Sequence, residues 1–223
     1  MKSIDPAPLA PVWDLPVRLF HWSLVLLVGL SWWSAEQGFD RVHFWSGYGL
    51  LFLLLFRILW GFFGSSTARF ANFVRGPSAI AAYVRHGRHG RAGHTPLGAL
   101  NVLAMLLSLL IQIGSGLVQI DDDDFVEGPL SGLVSYDTAL FAHDVHEVSF
   151  KILLGLIVLH LLAIFYYELF RRRSLVRPMF TGRTELPPEI PPMTPAPKAR
   201  LAACAAAALF LVAAILGAAP ALA

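Results

Sequence analysis

The stretch that decides the fold is residues 138–169, TALFAHDVHEVSFKILLGLIVLHLLAIFYYEL. It exceeds the roughly 20 apolar residues that cross a ~30 Å hydrocarbon layer, which predicts a membrane-spanning helix. Its histidines His146 and His160 are 14 residues apart. Helix geometry therefore separates them by about 21 Å in depth and brings them to within about 40° of the same face. One helix thus offers a candidate ligand near each membrane surface.

The rest of the chain is also too apolar for a water-soluble globule, since 56% of its 223 residues are hydrophobic and 14% are charged. Further apolar runs cover residues 17–34, 43–63, 97–120 and 201–219. We expect an all-α integral membrane protein, with a four-helix transmembrane bundle in residues 1–185, a Pro-rich linker over 186–200 and a fifth transmembrane helix within 201–223. The single cysteine, Cys204, excludes a disulfide framework and a cysteine-rich metal site within this chain.

The arginines predict the orientation in a bacterial inner membrane. They concentrate between the second and third apolar runs and after the fourth, which places these segments in the cytoplasm under the positive-inside rule. The opposite loops carry an acidic excess. This predicts a cytoplasmic N-terminus and a periplasmic C-terminus. The residues concerned are Arg69, Arg75, Arg85, Arg88, Arg91, Arg171, Arg172, Arg173, Arg177 and Arg183, against Asp121 to Asp124, Glu127 and Asp137.

Two further histidines complete cross-helix pairs by depth. The first helix enters from the inner side, which sets His21 level with His160, and the second enters from the outer side, which sets His43 level with His146. Two bis-histidine pairs in a four-helix bundle are the arrangement that binds two b-type haems. His143 shares the face of His160 and is a rival to His146, but it lies closer to the outer surface, so we favour His146.

Two residues of the second helix fit the same hypothesis. Gly47 follows His43 by one turn and would leave room for a porphyrin. Arg57 lies 14 residues after His43, at the depth of the inner pair. A buried arginine needs an anion, and a haem propionate is suitable. Alternatively, Arg57 snorkels to the inner surface.

The entrance to the third helix holds a candidate quinone site. His94 and Asn101 lie there and offer hydrogen-bonding groups to a quinone carbonyl, whereas the alternative is that His94, like His86 and His89, is a solvated surface group. Late in the same helix, polar and small residues are assigned to packing rather than chemistry. These are Gln112, Gly114, Ser115 and Gly116.

Several separated motifs resemble the prokaryotic cytochrome b561 family and, within it, the cytochrome b subunits of nickel–iron hydrogenase. They occur in the family's order across about residues 10–185: WDLPVRLFHW at 13–22, His43 with Gly47-Tyr48, FRILWGFFG at 56–64, GHTPLGA at 93–99, His146-Glu147 and His160. The resemblance implies a di-haem protein that exchanges electrons between the quinone pool and a partner. It also implies that His21 and His160 hold the inner haem, and His43 and His146 the outer one.

We therefore expect transmembrane electron transfer between quinol and a redox partner, with membrane lipid around the helices and no nucleic-acid partner. The acidic outer loop favours a basic periplasmic c-type cytochrome, and a hydrogenase-like subunit is the other candidate. A superoxide:quinone oxidoreductase is an alternative that the acidic loops disfavour, because superoxide is an anion. A proton or metal transporter without haem is a rival from another class.

Overall fold

The computed structural model describes residues 9–86, 92–123 and 125–218, and within these ranges the chain is mainly helical, with two short antiparallel ladders and connecting loops. Five helices of the described chain are long and apolar enough to span a membrane, which confirms the all-α membrane class. The elements in chain order are β1 Leu9–Pro11, α1 Leu15–Glu36, α2 Asp40–Phe63, α3 Phe70–Phe73, α4 Pro77–His86, α5 Pro96–Val118, β2 Ile120–Asp121, β3 Val126–Glu127, a 3₁₀ turn Ser131–Leu133, α6 Tyr136–Leu169, α7 Val176–Thr181, β4 Arg183–Glu185 and α8 Lys198–Gly217. The spanning helices are α1, α2, α5, α6 and α8.

The helix boundaries follow from side chains that cap the backbone. The Asp14 carboxylate accepts from Val17 N at 2.8 Å at the start of α1, and the Thr95 hydroxyl accepts from Gly98 N at 3.1 Å at the start of α5. Pro96 lies in the first turn of α5, where its missing N–H costs nothing. Capping therefore begins α1 and α5 slightly before their apolar runs.

Several predicted boundaries are wrong by up to three residues, and α8 begins at Lys198 rather than at residue 201. The third spanning helix, α5, ends at Val118 rather than at residue 120, because Ile120–Asp121 pair with Val126–Glu127 as a short antiparallel ladder. α2 begins at Asp40 rather than at residue 43. Residues 37–39 join it to α1 in a tight turn in which Gly38 adopts a left-handed φ of 66°. The predicted last residue of the fifth helix, 219, lies outside the described residues.

The spanning helices pack as two hairpins. α1 packs along α2 and α5 packs along α6, whereas the two hairpins meet chiefly where α2 touches α5. A layer of apolar side chains fills the middle of the bundle, between the levels of the two histidine pairs. This layer contains Leu50, Leu54, Leu109, Ile113 and Leu153. Among α1, α2, α5 and α6, the contacts within each hairpin are thus more extensive than those between the hairpins.

α8 lies antiparallel on α2. Its early residues Cys204 and Ala208 pack near Trp60, and its later residue Val212 packs near Leu50. Small side chains allow such close helix approach where no water drives association. The C-terminal helix therefore belongs to the packed bundle.

All five spanning helices have one end at the arginine-rich segments and the other at the acidic loop, and we call these the arginine end and the acidic end. At the arginine end, β1 pairs antiparallel with β4. The Pro-rich segment forms neither helix nor strand and is fixed there, because Met193 N donates to Pro11 O at 2.8 Å and Thr194 bonds to Ser66. The chain thus returns to its own N-terminal strand before α8 begins.

Candidate functional site

His43 and His146 face each other at the acidic end. Their ring centroids are 6.2 Å apart and their planes make an angle of 77°. Nδ1 of His43 lies 2.9 Å from the Ser31 carbonyl of α1, and Nδ1 of His146 lies 2.8 Å from the Gln112 carbonyl of α5. A carbonyl only accepts, so both Nδ1 atoms carry the proton and both Nε2 atoms keep a lone pair. This is how proteins fix a histidine for metal ligation.

The spacing of this pair fits a single metal ion between the rings. Two metal–imidazole bonds of about 2 Å each account for most of the 6.2 Å separation. The rest of the separation corresponds to the distance from the ligating nitrogen to the ring centre in each of the two imidazoles. A haem iron needs only these two protein ligands, and no cluster of three or more metal-ligating side chains occurs in the part of the chain that the structure describes.

A cavity of about 230 Å³ adjoins the pair. A Cβ at Gly47 would meet no described atom within 4 Å, so the space beside this glycine is open. The walls are mainly apolar, which suits a porphyrin face. The apolar lining includes Val28, Leu50, Leu109, Ile113, Phe150 and Leu153.

His143, the rival ligand, lies beside the acidic loop. Its Nδ1 is 4.0 Å from the Asp121 carboxylate in the acidic loop. His146, by contrast, has its ring against His43. The geometry therefore favours His146 as the partner of His43.

Three α5 residues that sequence analysis assigned to packing, Gln112, Ser115 and Gly116, contact His146 directly, and the Ser115 hydroxyl lies 3.5 Å from its Nδ1. Gln112 Nε2 lies 3.0 Å from His146 Nε2, and the Gln112 side-chain oxygen accepts a hydrogen bond from Ser149. A Cβ at Gly116 would lie 2.7 Å from His146 Cε1, so only glycine fits against the ring. The available signal was a glutamine inside an otherwise apolar span, which is a polar group that needs a partner. Ser31 was missed altogether, because its backbone, and not its side-chain type, makes the closest contact.

The second pair, His21 and His160, lies at the arginine end and is looser. The two side chains interact electrostatically, but these two described rings do not make the close contact that joins His43 to His146. His160 Nδ1 is 3.5 Å from Asn101 Nδ2. His21 Nδ1 is buried without a hydrogen-bond partner among the described residues.

Arg57 is buried beside this second pair, with 3% of its surface exposed. Its Nη1 donates to the Ala68 carbonyl at 3.3 Å, and its guanidinium lies 5.1 Å from the centre of the Phe70 ring. Asp14 contributes an attractive electrostatic interaction, but no carboxylate of the described chain forms an ion pair with Arg57. The side chain does not snorkel to the surface. Its remaining donors fit an anionic group such as a haem propionate.

His94 is enclosed by aromatic rings at the same end. Its ring centroid is 4.7 Å from those of Trp13 and Phe73. Burial, followed by the positive charge of Arg57 and by His160, lowers the pKa of His94 to about 3, so its imidazole is neutral at pH 7. His94 Nδ1 and Asn101 Oδ1 are both buried without a hydrogen-bond partner among the described residues. The predicted quinone residues therefore both lie around His160, and His94 is not a solvated group.

The described residues thus fit haem at both histidine pairs, through the ligand spacing at one end and the unpaired cationic and polar groups at the other. A family model described as prokaryotic cytochrome b561 matches residues 12–182. The match contains all four paired histidines and ends before the Pro-rich segment and α8. Comparisons with curated proteins and with solved structures gave no match. The chain therefore belongs to the prokaryotic cytochrome b561 family, whose members transfer electrons across a membrane by means of b-type haem.

Proposed function

We propose that the chain is a di-haem cytochrome b that transfers electrons between the quinone pool at its arginine end and a periplasmic c-type cytochrome at its acidic end. His43 and His146 hold one haem, and His21 and His160 hold the other. The observation that carries the proposal is the 6.2 Å separation of the His43 and His146 rings, with each Nδ1 already committed to a backbone carbonyl.

The haem iron, when bound by two histidines, supplies reversible one-electron chemistry without an open position for oxygen. The protein's contribution is to hold the ligands still. The Ser31 and Gln112 carbonyls fix the imidazoles from two different helix hairpins. Ligands that are already oriented would move little when the iron changes its oxidation state. This favours fast electron transfer.

At the arginine end, the side chains supply charge and hydrogen bonds. Arg57 provides buried donors for a propionate, and Asn101 lies against His160. His94, neutral and without a hydrogen-bond partner for Nδ1 among the described residues, keeps one donor and one acceptor for a quinone. The proposed orientation, with this end in the cytoplasm, rests on the arginines of the adjoining segments.

The acidic end is proposed to receive the redox partner. Asp121, Asp122, Asp123 and Glu127 lie in the loop between α5 and α6, and Asp124 of the same run lies outside the described residues. Phe125, with 91% of its surface exposed, projects among these carboxylates. An apolar side chain ringed by charge suits a transient complex with a basic cytochrome, whose encounter rate the charges would raise. A hydrogenase-like subunit is the second candidate partner.

A dithionite-reduced minus oxidised spectrum of the purified chain tests the proposal. We expect b-type haem bands and about two haems per chain. A chain that stays colourless after reconstitution with excess haem would instead support a transporter. Rapid reduction by superoxide, with no exchange with a basic cytochrome c, would support the superoxide:quinone oxidoreductase.

A further inference from the structure

Gln112 forms a closed set of hydrogen bonds around His146. Its backbone carbonyl accepts from Nδ1 at 2.8 Å, its side-chain amide donates to Nε2 at 3.0 Å, and its side-chain oxygen accepts from Ser149. Since Nδ1 carries the proton, Nε2 is an acceptor, and the amide NH₂ must therefore face it. One residue thus satisfies both ring nitrogens of the proposed ligand.

We propose that Gln112 is a displaceable cap on His146 that controls haem occupancy at the acidic end. The inference rests on the proposed function, in which His146 Nε2 binds iron. One lone pair cannot serve the amide and the iron at the same time. Haem binding therefore exchanges an N–H···N hydrogen bond for an iron–nitrogen bond, and the Gln112 side chain must rotate away while its backbone carbonyl stays in place.

The cap is anchored on the helix that carries the ligand. Ser149 lies on α6 one turn beyond His146, and its hydroxyl holds the Gln112 oxygen. Rotation of the amide away from His146 therefore breaks the Ser149 contact as well. Gly116 leaves no side chain against the ring, so the imidazole itself does not need to move when the cap opens.

The two histidine pairs differ in how closely a side-chain amide approaches the ligand nitrogen. At the arginine end, His160 Nδ1 has the Asn101 amide at 3.5 Å, the limit of a hydrogen bond, whereas the Gln112 amide is at 3.0 Å from His146. The cap keeps a buried acceptor satisfied before haem arrives, at the expense of haem affinity. We expect the arginine-end site to fill first and the acidic-end site to fill last.

A haem titration in a single-site background isolates the effect. The full-length His160→Ala chain, which retains only the acidic-end site, is purified from haem-deficient cells and titrated with haemin while the Soret absorbance is followed. Adding Gln112→Leu should tighten haem binding by roughly 2- to 10-fold, the equivalent of one net hydrogen bond. The same change should lower the melting temperature of the haem-free chain, because His146 Nε2 loses its partner.

Two further variants control for general damage. Gln37→Leu makes the same chemical change at the exposed C-cap of α1, outside the lining of the cavity, and we expect neither quantity to change. Ser149→Ala keeps the amide but removes its anchor, so haem affinity should rise with a smaller loss of haem-free stability. This second variant tests the cap even if Gln112→Leu folds poorly.

If Gln112 is a cap, its replacement raises haem affinity and lowers the stability of the haem-free chain. If Gln112 only packs against His146, its replacement lowers both haem affinity and stability. Unchanged or weaker haem binding in both Gln112→Leu and Ser149→Ala overturns the cap while leaving the proposed function standing. If the His160→Ala chain binds no haem at all, or if His146→Ala still binds two, the proposed function itself fails.

Discussion

The two ends of the bundle hold their histidines by different means. At the acidic end, backbone carbonyls bind the Nδ1 atoms of His43 and His146, and the rings already stand 6.2 Å apart. At the arginine end, buried polar atoms lack partners among the described residues, including His21 Nδ1, His94 Nδ1 and Asn101 Oδ1. Gln119 Oε1 and His143 Nδ1 of the acidic end are also buried without such partners. The His43–His146 pair itself is nevertheless held by the protein, whereas the pair at the arginine end is surrounded by unpartnered groups that its ligands would complete.

This difference has an energetic consequence. Each buried polar atom left without a partner costs roughly 1–3 kcal/mol. Haem and quinone that satisfy these atoms would recover that cost chiefly at the arginine end. Ligand loss should therefore loosen the arginine end more than the acidic end.

The largest expected effect comes from removing a ligand. His146→Ala should lose one haem of two, because the opposing His43 cannot hold the iron alone, while His143→Ala should retain both. Haem per chain measured by pyridine haemochrome assay checks the pair of variants. Two haems in His146→Ala together with one in His143→Ala would show that His143 is the ligand on α6.

Arg57 should affect only the arginine end. Reduction adds negative charge to a haem, and a buried cation favours it. Arg57→Leu should therefore lower one midpoint potential by on the order of 50 mV, about a tenfold change in that redox equilibrium, and leave the other nearly unchanged. Arg57→Lys, which keeps the charge, is the matched control. Equal shifts of both haems in a potentiometric titration would contradict this assignment.

The proposed quinone site at the arginine end leads to a kinetic prediction. Replacing His94 and Asn101 together by leucine removes the groups proposed to bind the quinone carbonyl. Haem reduction by a quinol analogue in stopped-flow measurements should slow several-fold while haem content stays the same. Unaltered kinetics would move the quinone to another part of the bundle.

The smallest expected effect concerns docking at the acidic end. Neutralising Asp121 to Asp124 as asparagines should lower the rate of exchange with a basic cytochrome c by a few-fold and flatten its dependence on ionic strength. Both haem spectra should remain as in the native chain. A native rate that salt does not alter would argue against charge-guided docking.

The sequence predicted the depths of the histidines in the membrane better than it predicted which side chains contact them. The rise per residue of a helix fixes the depths of His43, His146 and His160 along their spans. The rotation of one helix against another depends on packing that no single helix encodes. The contacts of Gln112 with His146 and of Asn101 with His160 could therefore not be derived from spacing. The Ser31 carbonyl and hydroxyl both lie within hydrogen-bonding distance of His43 Nδ1, and this contact between α1 and α2 could not be derived from spacing either.

The Pro-rich segment and α8 also make contacts that could not be predicted from the sequence. Proline density predicted an extended linker, but the hydrogen bonds of this segment to Pro11 and Ser66 depend on the folded arginine end and could not be predicted from it. The small residues of α8 suit close helix contact but do not identify α2 as the partner. Partner choice is a property of the assembled bundle.

The pairing of ligands is tested most directly by haem counts in double variants of the full chain. If His43 and His146 share one haem, His43→Ala/His146→Ala should retain one haem per chain, as each single variant should. His43→Ala/His160→Ala, which removes the same number of histidines from different pairs, should retain none. One haem in the second double variant and none in the first would contradict the pairing on which this account depends.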